Sequence, residues 1–135
     1  MTAFDFFQAE ELPAPAVSES DAAVIARERF GVEAMVTPLG SQQDANFLLA
    51  DAAGAPLGVL KVANPAFTRT EIEAQDAAAR FVADADPRVR TARNAEFPGV
   101  PAIAEIAGAD GHTLYARVIS YPGRLRLIPP RWLVA

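Results

Sequence analysis

Twelve residues of the chain are basic, but only one of them, Lys61, is a lysine, and it sits inside the apolar run Leu57-Gly58-Val59-Leu60-Lys61-Val62-Ala63. Every other base is Arg. A half-buried position that calls for a compact ammonium acting as a point charge, without the planar five-donor fork of a guanidinium, would account for the exception. Such a group on a rigid strand suits the holding of an anion. The same pattern also suits a lysine whose stem runs past a sheet edge with its head in water. Upstream lies the polar segment Gly40-Ser41-Gln42-Gln43-Asp44 with Asn46 just beyond it, and downstream lie Glu71, Glu73 and Gln75. Cysteine chemistry is excluded because the chain has no Cys, so there is neither a disulfide framework nor a zinc-thiolate site. The lone histidine, His112, follows Asp110-Gly111 and reads as a solvated turn residue. A catalytic triad and a multi-His metal site are therefore not expected, and no residue is assigned a catalytic or metal-binding role.

The elements that would position Lys61 belong to one compact domain: 135 residues with 51% hydrophobic and 21% charged leave little room for a second. A net charge of -5 gives counterion release no basic surface to start from, so neither nucleic acid nor anionic membrane is an expected partner. No apolar run reaches the ~18 residues of a membrane span. The N-terminus lacks a basic region followed by an apolar stretch, and a cytoplasmic location is the default expectation.

Residues 1–17 carry Phe4, Phe6, Phe7, Pro13 and Pro15 without a sustained period, and read as an extended arm whose aromatics pack on the domain or on a partner. Ser18-Glu19-Ser20-Asp21 offers N-caps for a short helix over 22–30, and Gly31 stands where a left-handed C-cap is expected. Short apolar runs at 34–39, 46–51 and 57–63, separated by turn residues, predict a three-stranded antiparallel meander. On the third strand Val59, Lys61 and Ala63 share one face and Leu60 and Val62 the other, with apolar neighbours on both.

After Asn64-Pro65, Thr68 or Thr70 can cap a helix running to about residue 85, where Asp86-Pro87 stops it; Glu71 and Glu73 complete two overlapping capping boxes. At about 100° per residue, Ile72, Gln75, Ala78, Ala79 and Val82 form one stripe. Gln75 is then the polar residue expected on the inward side, with Glu71 at its border and Glu73 turned outward. A second hairpin, 102–107 and 112–121, joins through Gly108-Ala109-Asp110-Gly111, and Pro122-Gly123 ends it. The tail 124–135 shows no clear element.

The order of helix, three-strand meander, helix, hairpin and Pro-Gly exit resembles a protein-kinase-like N-terminal lobe: an α+β fold with a five-stranded antiparallel sheet, a helix between strands three and four, and a short helix before the sheet. Three stretches, Leu39-Gly40-Ser41-Gln42-Gln43-Asp44-Ala45-Asn46-Phe47, Val59-Leu60-Lys61-Val62-Ala63-Asn64-Pro65 and Ile72-Glu73-Ala74-Gln75, resemble the aminoglycoside phosphotransferase family. Within it they are most similar to the hydroxylysine-kinase-like branch, which also occurs as the first module of long proteins ending in a class III aminotransferase. Val118-Ile119-Ser120-Tyr121-Pro122-Gly123-Arg124 resembles the family's hinge. The resemblance covers about residues 24–125.

The resemblance implies ATP as cofactor, with magnesium supplied mainly by a second lobe. Lys61 would contact the α- and β-phosphates, and Gly40 would let the backbone of 40–44 approach them, with Ser41, Gln42 and Asn46 donating or orienting. In many kinases a helix acid pairs with this lysine. Here the helix position is an amide, Gln75, so the phosphates or Glu71 would have to supply the counter-charge. Ser120, Tyr121 and Pro122 would form the adenine hinge. Because Pro122 has no N–H, the donor falls to Tyr121 or Gly123. Ile119 and Val36 would pack on the base.

The catalytic-loop Asp and Asn and the metal-binding Asp of a second lobe do not occur in the sequence. The expectation is therefore residues 18–123 as the nucleotide-binding lobe of a small-molecule kinase, partnered by a catalytic lobe and further domains of a longer parent. The alternative is a non-catalytic α+β interaction domain with a degenerate cleft. Under the kinase-lobe expectation Tyr121, Leu125, Leu127, Ile128, Trp132 and Leu133 lose the cover of the second lobe and would need another, by the tail folding back or by self-association.

Overall fold

The computed structural model describes residues 14–40, 43–89 and 91–120. Ser41, Gln42, Tyr121, Gly123, the arm 1–13 and the tail 124–135, on which part of the loop, hinge and self-association expectations fall, lie outside the described residues.

Helix α1 (Glu19–Phe30) starts at a complete capping box: the Asp21 N–H donates to Ser18 Oγ at 3.0 Å and the Ser18 N–H donates to Asp21 Oδ2 at 3.1 Å. It stops at Gly31, whose φ of 69° is the left-handed conformation that a Cβ would penalise. Ala22, Ala26 and Phe30, spaced by four, are buried. Small residues at the first two positions let the helix lie close to the sheet.

Five strands follow: β1 (Met35–Leu39), β2 (Ala45–Ala50), β3 (Pro56–Val62), β4 (Ala104–Ala107) and β5 (Thr113–Ile119). All pair antiparallel, in the order β1-β2-β3-β5-β4. The fold is α+β, with a helix before the sheet and α2 (Arg69–Ala85) between β3 and β4, as the sequence predicts. The β2–β3 turn is built on Asp51, whose Oδ1 accepts the N–H groups of Ala53 and Ala55, both at 2.9 Å. Among the described residues no helix is long and apolar enough to cross a membrane.

Side-chain alternation divides the sheet into two unlike faces. On one, Phe47, Leu49, Leu60, Val62, Leu114, Ala116 and Val118 meet α1, Val32 and Phe97 in the main core. On the other, cross-strand register sets Leu39, Asn46, Lys61 and Arg117 in one row across β1, β2, β3 and β5. Helix α2 lies on this second face, where the apolar contact is small: Ile72 with Ala63, Ile103, Phe67 and Tyr115. The neighbouring row on this face, Leu48, Val59 and Ile119, is apolar, and the polar groups are gathered in the row of Lys61 and Arg117.

Candidate functional site

Lys61 is half-buried, and among the described residues its ion-pair partner is Asp44 of the β1–β2 connection, with Nζ 3.1 Å from Oδ2. The other oxygen of Asp44 accepts the backbone N–H of Asn64 at 3.0 Å. Asn64, buried at the exit of β3, donates from Nδ2 to the Gln43 carbonyl at 3.0 Å and accepts the Ala66 N–H at 3.0 Å. Three contacts, Lys61 with Asp44 and Asn64 with both Asp44 and Gln43, thus tie the far end of the polar loop to the end of the lysine strand. Asn46, directly across from Lys61, has a buried Oδ1 with no hydrogen-bond partner among the described residues.

Helix α2 does not reach Lys61 with an acid. Its capping box uses Thr68 and Glu71: the Thr68 N–H donates to Glu71 Oε2 at 2.7 Å and the Glu71 N–H donates to Thr68 Oγ1 at 3.2 Å. Glu71 is therefore held at the helix start and exposed, and it does not neutralise the lysine. Glu73 points outward, as expected, but it pairs with Arg69 at 3.1 Å and serves no cap.

The rotation of the helix also differs from the predicted stripe. Ile72 is buried and Asp76, Ala79 and Ala83 are half-buried, whereas Gln75, Ala78 and Val82 are exposed. The inward polar residue is Asp76. The reason is Arg117, which lies 6% exposed beneath the helix. A buried guanidinium without a counter-charge costs far more than exposing alanine and valine methyls.

Asp76 accepts from Arg117 Nη1 through Oδ1 and from Asn94 Nδ2 through Oδ2. Gln75 reaches the same guanidinium from the rim, its Oε1 accepting from Nη2 at 3.1 Å. Sequence reasoning missed Asp76, Arg117 and Asn94. Yet Arg117 carries the signal that singled out Lys61, one base inside the apolar run Leu114-Tyr115-Ala116-Arg117-Val118-Ile119. Asp76, four residues after Ile72, was the acid available to answer it.

Elsewhere the structure brings some expected residues together and separates others. Gly40 is exposed, and a Cβ built there would meet nothing within 4 Å. Ile119 lies on the Lys61 face of the sheet, but Val36 is on the opposite face, packed against the α1 core, so these two cannot enclose one base. Val36 fails because it sits one residue out of phase with the row that contains Lys61. Ser120 is already engaged: its N–H donates to the Arg93 carbonyl at 2.7 Å and its Oγ accepts the Arg93 N–H at 3.1 Å. His112 is exposed in the β4–β5 turn, with its backbone N–H donating to Asp110 Oδ1 at 3.1 Å.

A polar depression of about 400 Å³ opens at the outer end of α2, lined by Asp76, Arg80, Asp84, Arg93, Asn94 and Glu96. Its charges are matched in pairs, Arg93 with Asp84 at 3.3 Å and Arg80 with Glu96 at 3.8 Å. Among the described residues no group of three or more His, Cys, Asp or Glu side chains is arranged to hold a metal. What the Lys61 row can do chemically is offer one ammonium, with a carboxylate beside it and an amide across from it, at the mouth of a loop. No family model, curated protein or solved structure matches the chain.

Proposed function

We propose that the chain is the ATP-binding lobe of a small-molecule phosphotransferase acting on a hydroxyl of an amino acid, amino alcohol or aminoglycoside, and that a separate catalytic lobe must complete it. The observation that carries this reading is the placement of Lys61. The chain's one lysine stands half-buried on the third strand, in the same cross-strand row as Asn46 and at the base of the polar β1–β2 connection. Lys61 would hold the α- and β-phosphates of ATP, the loop N–H groups would cradle them, and Asn46 would donate to them from its Nδ2. Adenine would take its hydrogen bonds from Tyr121 or Gly123, since the Ser120 N–H is in use. Magnesium bound to the phosphates would be held mainly by the second lobe, and the protein would work in the cytoplasm.

Amide spectra test the reading. MgATP should shift the signals of 43–46 in the parent chain, and Lys61→Met should leave the fold intact while weakening those shifts. Equal shifts in both proteins, or none at saturating nucleotide, would sink it. One observation favours the interaction-domain reading instead: Asp44 already compensates the ammonium from within the chain. Under that reading MgATP shifts nothing.

A further inference from the structure

The carboxylate of Asp44 is fixed at both oxygens, one on Lys61 and one on the Asn64 backbone, and Asn64 closes the ring through the Gln43 carbonyl. An ammonium has three N–H groups, so a phosphate oxygen could share Lys61 with Asp44. Any phosphate that did so would lie a few ångströms from a carboxylate whose side chain is only 14% exposed, where water and salt screen poorly. Across the row, Asn46 adds a buried acceptor with no donor among the described residues.

Resting on the nucleotide reading, we propose that Asp44 is an internal counter-anion that sets the charge selectivity of the Lys61 site. It opposes phosphate chains carrying their full negative charge and admits those neutralised by a divalent cation. The effect is local electrostatics and needs no movement of α2, which is tied to Arg117 and not to Lys61.

The single lysine makes the test direct, because its ε-methylene NMR signal belongs to one residue. Parent and Asp44→Asn are titrated with sodium tripolyphosphate, with and without Mg2+, while that signal and the amides of 43–46 are followed. Asn at 44 keeps an acceptor for the Asn64 N–H. Asp44→Ser serves as a second variant should the first fail to fold, and unchanged β5 amides certify the fold. The parent should bind the magnesium form at least fivefold more tightly than the free form. Asp44→Asn should bind the free form about tenfold more tightly than the parent does, erasing the preference.

A parent that prefers the free form, or an Asn variant no better than the parent, overturns the inference and leaves the nucleotide reading standing. Failure of Lys61 to respond to either tripolyphosphate or ATP, in parent and variants alike, removes the nucleotide reading and this inference with it.

Discussion

Lys61 and Arg117 stand directly opposite each other on β3 and β5, and each is neutralised by an acid from a different part of the chain, Asp44 from the β1–β2 connection and Asp76 from α2. Two like charges facing each other across a sheet would destabilise the pairing. Separate counter-ions make the arrangement tolerable, and they also assign each base to its own structural unit. Arg117 belongs to the helix–sheet interface and Lys61 to the loop.

The Arg117–Asp76 pair is deeply placed, with side chains only 8% and 16% exposed. Asp76→Ala should therefore destabilise the fold by about 3–5 kcal/mol, because it strands a buried guanidinium. Gln75→Ala, which removes one neutral acceptor at the rim, should cost about 1 kcal/mol. Urea denaturation at constant m-value measures both. The double change Asp76→Leu with Arg117→Met should recover most of the loss, since an apolar pair carries no desolvation penalty. A double variant as unstable as Asp76→Ala would mean that the polar layer itself, and not the stranded charge, matters.

Alternation and capping made most of the fold legible in the sequence. The meander, a threonine-capped start of α2 and the Gly31 stop of α1 all follow from local rules that act within a few residues, although those rules left Thr68 and Thr70 as equal candidates for the cap. The rotation of α2 did not, because it is decided by a contact 41 residues away in sequence, between Asp76 and Arg117. Helix periodicity weighs apolar residues, and in this alanine-rich helix the apolar signal is diffuse enough for one buried charge to override it. The Lys61–Asp44 contact was hidden for a related reason. Asp44 was read as part of a polar turn, and only the Asn64 ring shows which way its carboxylate faces.

The rotation of α2 can be checked by substitution. Ile72→Ala, at 1% exposure, should cost about 2–5 kcal/mol, whereas Val82→Ala, at 40%, should stay within about 1 kcal/mol. Comparable losses at the two positions would restore the stripe that runs through Gln75 and Val82.

Asn64 closes the ring that holds the lysine loop, so Asn64→Ala should act locally as well as globally. Loss of its bonds to the Gln43 carbonyl and the Ala66 N–H should cost about 1–3 kcal/mol. Hydrogen exchange should accelerate at the amides of 43–46 by more than at those of β5. Uniform acceleration across the sheet would show that the ring is not a separable unit.

Helix α1 carries an acid-sensitive cap. The backbone N–H of Ser18, and then its hydroxyl, hold Asp21 below the ordinary carboxylate range. A carboxyl with a depressed folded-state pKa contributes stability above its unfolded pKa, near pH 4, and loses it as pH falls through the folded value. Asp21→Asn should therefore be less stable than the parent at pH 7, with the gap narrowing as the pH drops below 4. A gap independent of pH would mean that the charge of the carboxylate adds nothing to the cap.

Gln75→Glu separates the two bases most cleanly. If the helix faced Lys61 through position 75, a carboxylate there would give the lysine a second partner and displace its ε-methylene NMR signal. The observed geometry directs Gln75 Oε1 to Arg117 Nη2, so the new charge falls beside a guanidinium that Asp76 already neutralises. Attraction to Arg117 and repulsion from the adjacent Asp76 oppose each other at a partly exposed rim, where neither exceeds about 1 kcal/mol. The expected result is a stability change within that range, a Lys61 signal that does not move, and displaced Arg117 side-chain signals. Movement of the Lys61 signal in Gln75→Glu, with Arg117 unaffected, would mean that α2 addresses the lysine after all and that Asp44 is not its principal partner.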